Sequence, residues 1–167
     1  MTLPTGFTPD PDRDLVLTRE IDVAPEAVWK AWTDPERLKQ WFTPRPWQTT
    51  ECEIDLRPGG IFRTVMRGPD GEEGGGTGCY LEVVPHERLI WTGALGPGFR
   101  PNPKEDMAID MTFTAIIALE PTATGTRYTA AVMHADPAGA AQHEEMGFYD
   151  GWGAALDQLV ELVQSGG

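Results

Sequence analysis

The chain has 167 residues, 40% of them hydrophobic, with six tryptophans and six phenylalanines, which suits one domain with a real core. Its 26 acidic and 13 basic residues give a net charge of −13; this disfavours nucleic acid and anionic lipid as partners, because both are held by basic side chains against phosphates. Cys52 and Cys79 form no short-spaced pair, so neither a disulfide framework nor a zinc ribbon is expected.

Residues 1–13 read as a loose lead-in without the basic and apolar regions of a signal peptide. No apolar run reaches bilayer-spanning length, so a cytoplasmic location and no membrane partner are the default expectations. A single domain is expected over residues 14–164. Leu15 to Val23 alternates as a strand. Pro25 opens a short helix with Val28 and Trp32 one turn apart. Thr33, three residues before Glu36, resembles a capping box for a second short helix that ends near Trp41 and Phe42, where Pro44 and Pro46 forbid continuation.

From Gln48 the period becomes two. Cys52, Ile54 and Leu56 share a face, Arg-Pro-Gly-Gly at 57–60 suits a type II turn, and Phe62, Thr64 and Met66 continue on the next strand. The glycine-rich stretch at 68–76 reads as a turn. Gly78–Val84 and Arg88–Gly93 flank another turn, and Gly93 to Met107 is a long loop. Ala108 to Leu119 reads as the longest strand, with Met111, Phe113, Ala115, Ile117 and Leu119 on one face; Tyr128, Ala130, Val132 and His134 share a face on the last.

The chain closes on a stretch that predicts one helix from Ala138 to Val163. At helical period Phe148, Tyr149, Trp152, Leu156, Leu159, Val160 and Val163 form an apolar stripe, while Asp150, Asp157 and Gln158 fall outside it. Glu145 falls within the stripe, where a carboxylate is costly unless paired or beside water. Gly147 and Gly151 leave room for close backbone approach, either by local packing or by a partner subunit in a homodimer. The element order predicts an α+β fold in which a seven-stranded curved antiparallel sheet wraps the long helix, with two short helices after the first strand.

That order resembles the helix-grip fold of the START-like superfamily, which includes the birch-pollen allergen and polyketide cyclases. Four stretches, at 24–42, 55–71, 81–92 and 144–163, are similar to one branch: the domain of activators of the ninety-kilodalton heat-shock protein's ATPase and of many short bacterial proteins. The resemblance implies a cavity between sheet and helix, commonly suited to an apolar small molecule. In the eukaryotic co-chaperones a separate domain precedes this one. Nothing of that size precedes Asp14, so a chaperone is not the first partner expected.

The candidate cavity lining is Trp41, Phe62, Met66, Trp91, Met111, Phe113, Tyr128, His134, Glu145, Tyr149 and Trp152. Glu145 with His134 or Tyr149 is the candidate acid/base group. His143 lacks the second histidine of a zinc-protease motif, the glycine run lacks a phosphate-loop lysine, and Ser165 is the only serine. No metal or cofactor is expected. The expected function is binding of an apolar or amphipathic small molecule. The alternatives are a cyclase-like cavity enzyme and a co-chaperone-like interaction module.

Overall fold

The computed structural model describes residues 7–103 and 112–166. β1 (Asp14–Ile21) leads into α1 (Pro25–Thr33) and α2 (Pro35–Leu38). β2 (Gln48–Ile54), β3 (Ile61–Arg67), β4 (Glu73–Val84) and β5 (Arg88–Thr92) follow. A small hairpin, β6 (Leu95–Gly96) and β7 (Arg100–Pro101), sits within the expected long loop. β8 (Phe113–Pro121) and β9 (Thr126–His134) lead to α3 (Pro137–Glu145) and α4 (Phe148–Gln164).

Seven strands form one antiparallel sheet in the order β1-β9-β8-β5-β4-β3-β2. The two short helices thus carry the chain from one edge of the sheet to the other. Because side chains alternate along a strand, Phe113, Ala115, Ile117 and Leu119 of β8 and Tyr128, Ala130 and Val132 of β9 enter one core with Phe148, Leu156 and Leu159 of α4. Leu159 is fully buried, and burial of such a side chain contributes roughly 1.5–3 kcal/mol. This is the helix-grip arrangement. Ile90, Ile116 and Ala131 form a smaller cluster with Phe7, so this residue ahead of β1 packs against the sheet as well.

Several local expectations are corrected. The cap of α2 is Asp34, whose side chain accepts from the Glu36 amide at 3.0 Å, while the Thr33 hydroxyl bonds back to the Trp29 carbonyl. The glycine run at 74–76 belongs to β4, not to a turn. It is needed there: a Cβ on Gly75 would lie 2.3 Å from the Thr64 carbonyl oxygen of β3, and its φ is +97°. Among the described residues β4 is the longest strand, at 12 residues. The expected strand residues 108–111 lie outside the described residues.

The single closing helix is in fact two. Asp136 caps α3 through the Gly139 amide at 2.7 Å. α3 stops when Gly147 takes a φ of 93°, a left-handed conformation that glycine adopts without steric cost. The Gly147 amide returns to the Glu144 carbonyl at 3.0 Å, and its own carbonyl accepts from Gly151 at 2.7 Å to start α4. A Cβ on Gly147 would meet nothing within 4 Å. The glycine therefore serves the turn, not a close approach.

Gln158 is the other correction. It lies off the apolar stripe, yet it is 8% exposed. Its Oε1 accepts from the Arg45 amide at 2.9 Å, and its Nε2 donates to the Trp41 and Thr43 carbonyls at 3.1 and 2.8 Å. It thereby binds the segment after α2 to α4 and satisfies backbone groups that would otherwise be unpaired. Replacing Gln158 by Leu should destabilise the fold by about 2–4 kcal/mol, because orphaned buried groups cost roughly 1–3 kcal/mol each. Replacing the exposed neighbour Asp157 by Ala should change stability by less than about 0.5 kcal/mol. Denaturant unfolding of the two variants checks this.

Candidate ligand-binding site

Between the sheet and α4 runs a row of aromatic rings. Trp32 and Trp41 stand 4.9 Å apart, Trp41 and Phe42 5.5 Å, and Phe42 and Phe62 5.8 Å. The row continues from Phe62 to Trp91 at 4.9 Å, to Phe113 at 5.6 Å, and to Trp152 at 6.1 Å. Three strands, two helices and the segment after α2 thus contribute to one apolar interior. The edge-to-face angles are those that aromatic quadrupoles favour.

Polar groups in this interior are unevenly satisfied. The Trp41 indole donates to the Ala31 carbonyl at 3.0 Å. Among the described residues, no group accepts a hydrogen bond from Tyr80 OH or Trp91 Nε1, although both atoms are fully buried. These two residues are cross-strand partners on β4 and β5. Their rings lie 5.4 and 4.9 Å from Phe62. Burial, with a smaller push from Cys52, raises the Tyr80 phenol well above its ordinary range, so it remains a donor. Trp32 Nε1 makes no hydrogen bond of good geometry, yet it is near enough to the Tyr128 hydroxyl to pull that group's pKa down against the burial that raises it.

At the far end of the row two histidines meet. His134, at the end of β9, faces His143 of α3 with Nε2 2.9 Å from Nδ1. Both are buried, at 7% and 8% exposure. His134 Nδ1 lies 2.9 Å from the Arg13 carbonyl. The His143 ring is 5.1 Å from both Phe113 and Phe148. Burial first, and the neighbouring His134 second, lower the His143 pKa to about 4.

The expected cluster of His134 with Glu145 and Tyr149 does not form. Glu145 is exposed at the end of α3, and Tyr149 is 40% exposed. The cause is Gly147: it resets the helical phase, so residues before it no longer follow the stripe of α4. Trp41, Phe62, Trp91 and Tyr128 are buried, and Met66, Phe113 and Trp152 are half-buried. Met111 lies outside the described residues. His143 was hidden by the phase error; counted within α3 alone, it falls one turn after the buried Ala140. Tyr80 had no sequence signal beyond strand alternation.

Other chemistry is thin. Burial raises the Cys52 thiol to about 11 and also raises Cys79, which leaves both poor nucleophiles. Among the described residues, no three metal-ligating side chains cluster, and no helix is long and apolar enough to cross a membrane. A surface cleft of about 360 Å³ lies between the turn after β2 and Pro97–Phe99. It contains none of the aromatic row, and its Arg57 is already paired with Asp55 at 2.7 Å. The unpaired buried donors make the interior the stronger candidate.

The comparisons agree with this architecture. The sequence profile described as "Activator of Hsp90 ATPase homolog 1-like protein" matches residues 22–164. The chain belongs to this family. Among solved structures of similar fold, the Hsp90-activator-like chain is 47% identical to protein NE0264 from Nitrosomonas europaea, with a TM-score of 0.88 over 93% of this chain and 97% of that one. A Rhodobacter sphaeroides protein is 26% identical, with a TM-score of 0.80 over 95% and 97% of the two chains. An AHSA1-like protein from Aeromonas hydrophila shares the fold at 22% identity and a TM-score of 0.69, over 92% and 93% of the chains. No curated protein matches. Membership of the Hsp90-activator-like family supports a ligand-binding or co-chaperone-like module.

The lowered pKa of His143 has a direct consequence for stability. The folded state holds this imidazole neutral down to about pH 4, whereas the unfolded chain protonates near the ordinary histidine value of 6.5. Below the unfolded value the unfolded state binds the extra proton, so stability falls as pH drops from 6.5 towards 4. The wild type should lose on the order of 2–3 kcal/mol more over this window than His143→Phe, which has no proton to gain. Unfolding curves of both proteins across the window measure the difference.

Proposed function

We propose that the protein binds an amphipathic, largely aromatic small molecule between the sheet and α4. The observation that carries this reading is the pair of unpaired buried donors, Tyr80 OH and Trp91 Nε1, side by side on adjacent strands. An orphaned buried donor costs roughly 1–3 kcal/mol. Two of them in an aromatic wall are a standing cost that a ligand with an acceptor oxygen removes. Apolar burial then supplies the bulk of the affinity, at about 25 cal/mol per Å². The corner between α3 and α4 is the proposed entry, because Trp152 there is only half-buried and Gly147 bends the backbone. Glu145, in solvent, has no part in this reading.

The family description supports a second reading, stimulation of a heat-shock ATPase. That activity would be indifferent to a substitution at Tyr80, because it needs an outer surface, not the interior.

Tyr80→Phe separates the two. It removes an unpaired hydroxyl and keeps the ring, so the free protein should become about 1 kcal/mol more stable. Binding of the naphthyl ketone dye prodan, whose carbonyl is a single strong acceptor, should weaken roughly tenfold. Glu145→Gln should alter neither quantity. Unchanged dye binding in Tyr80→Phe, or a dye that does not bind the wild type at all, would defeat the small-molecule reading.

A further inference from the structure

The hydrogens of the histidine pair can be placed from its contacts. A carbonyl oxygen only accepts, so His134 Nδ1, 2.9 Å from the Arg13 carbonyl, carries a hydrogen. With both imidazoles neutral, His134 Nε2 is then bare and only accepts. His143 Nδ1, 2.9 Å away, must donate to it. The remaining nitrogen, His143 Nε2, is left with a lone pair pointing away from His134. Among the described residues nothing donates to it. Nor is it one of the sealed unpaired atoms, which are Trp32 Nε1, Thr49 Oγ1, Tyr80 OH and Trp91 Nε1. His143 retains 8% exposure.

From this geometry we infer that His143 Nε2 is the acceptor for a hydroxyl group on the bound ligand, and that the ligand class is a hydroxylated aromatic. The inference rests on the small-molecule reading above and adds the second polar end of the ligand. Phe113 stands between the two ends, 5.6 Å from Trp91 and 5.1 Å from His143. Donors at Tyr80 and Trp91 meet an oxygen acceptor on one side of Phe113, and the bare nitrogen of His143 meets a hydroxyl on the other. Trp152, half-buried and 6.4 Å from the His143 ring, offers an aromatic face to the ligand ring, and the buried Phe148 backs it at 5.2 Å. His134 is a positioning residue: through Arg13 it dictates which nitrogen of His143 is bare.

Naphthol and its methyl ether, methoxynaphthalene, form the test, with tryptophan fluorescence reporting binding. They share an aromatic body and differ in the hydroxyl hydrogen. The wild type should bind naphthol about five- to tenfold more tightly, the worth of one hydrogen bond. His143→Asn keeps a donor towards His134 but has no counterpart of Nε2; it should bind both compounds alike, at the affinity of the ether for wild type. Nitrogen NMR of the wild type at neutral pH should find the His143 hydrogen on Nδ1. In His134→Leu the two tautomers of His143 should mix, which a merely structural His134 would not produce. Equal binding of both compounds to the wild type, a naphthol preference that survives in His143→Asn, or a hydrogen on His143 Nε2 would each overturn this inference while leaving the reading from Tyr80 and Trp91 in place. If neither compound binds the wild type while prodan does, this inference alone falls; if prodan fails to bind as well, both readings fall. The NMR measurement needs no variant, so a variant that does not fold leaves the inference open to refutation.

Discussion

A single backbone torsion, the φ of 93° at Gly147, decides which side chains of the closing segment meet the sheet. Without it, residues 138–163 would continue as one rod and Glu145 would be driven towards the aromatic interior. With it, α3 turns on its own axis, Glu145 stays in water, and His143 reaches His134. The cost is small, because glycine alone adopts this conformation freely. A one-residue change of direction therefore replaces a buried carboxylate, which would need a partner, by a buried neutral imidazole, which has one.

The interior shows two styles of satisfying polar groups. Gln158 makes three hydrogen bonds and joins segments more than 100 residues apart. Such side chains cement the fold. Tyr80 and Trp91 do the opposite: they face each other across the β4–β5 ladder and, among the described residues, have no protein acceptor for their side-chain donors. Proteins tend to concentrate unmet polar demands at sites of function and compensate for them elsewhere. Here the surrounding core, which includes the buried Leu156 and Leu159 of α4, is aliphatic and fully packed at those positions.

Much of the fold was legible in the sequence because strands report their faces every second residue. The inward sets on β9 and on β8 from Phe113 onward were read correctly, as were the turn at 57–60, where the Gly60 amide reaches the Arg57 carbonyl at 2.8 Å, and the presence of two short helices, although the second stops at Leu38 and not near Trp41. The site was less legible, for two physical reasons. Periodicity persists on both sides of Gly147, and a helical wheel drawn through it contains no warning that the phase has been reset. Gln158 and Tyr80 depend on partners, present or missing, that lie on distant segments; no local pattern encodes them. The glycine run at 74–76 misled for a similar reason, since its cause is the Thr64 carbonyl of the neighbouring strand.

The open sheet ends on β1 and β2, and an unpaired strand edge is a template for self-association. On β2 the register slips between Thr49 and Glu51, a bulge that spoils a straight edge, and Glu51 and Glu53 stand exposed along it. Arg63 pairs with Glu51 at 3.3 Å, so a second copy approaching edge to edge would meet chiefly the charge of Glu53 and the misaligned hydrogen-bonding groups at the bulge. At this edge the bulge and an exposed acid together disfavour the straight, uncharged template that strand-to-strand growth requires.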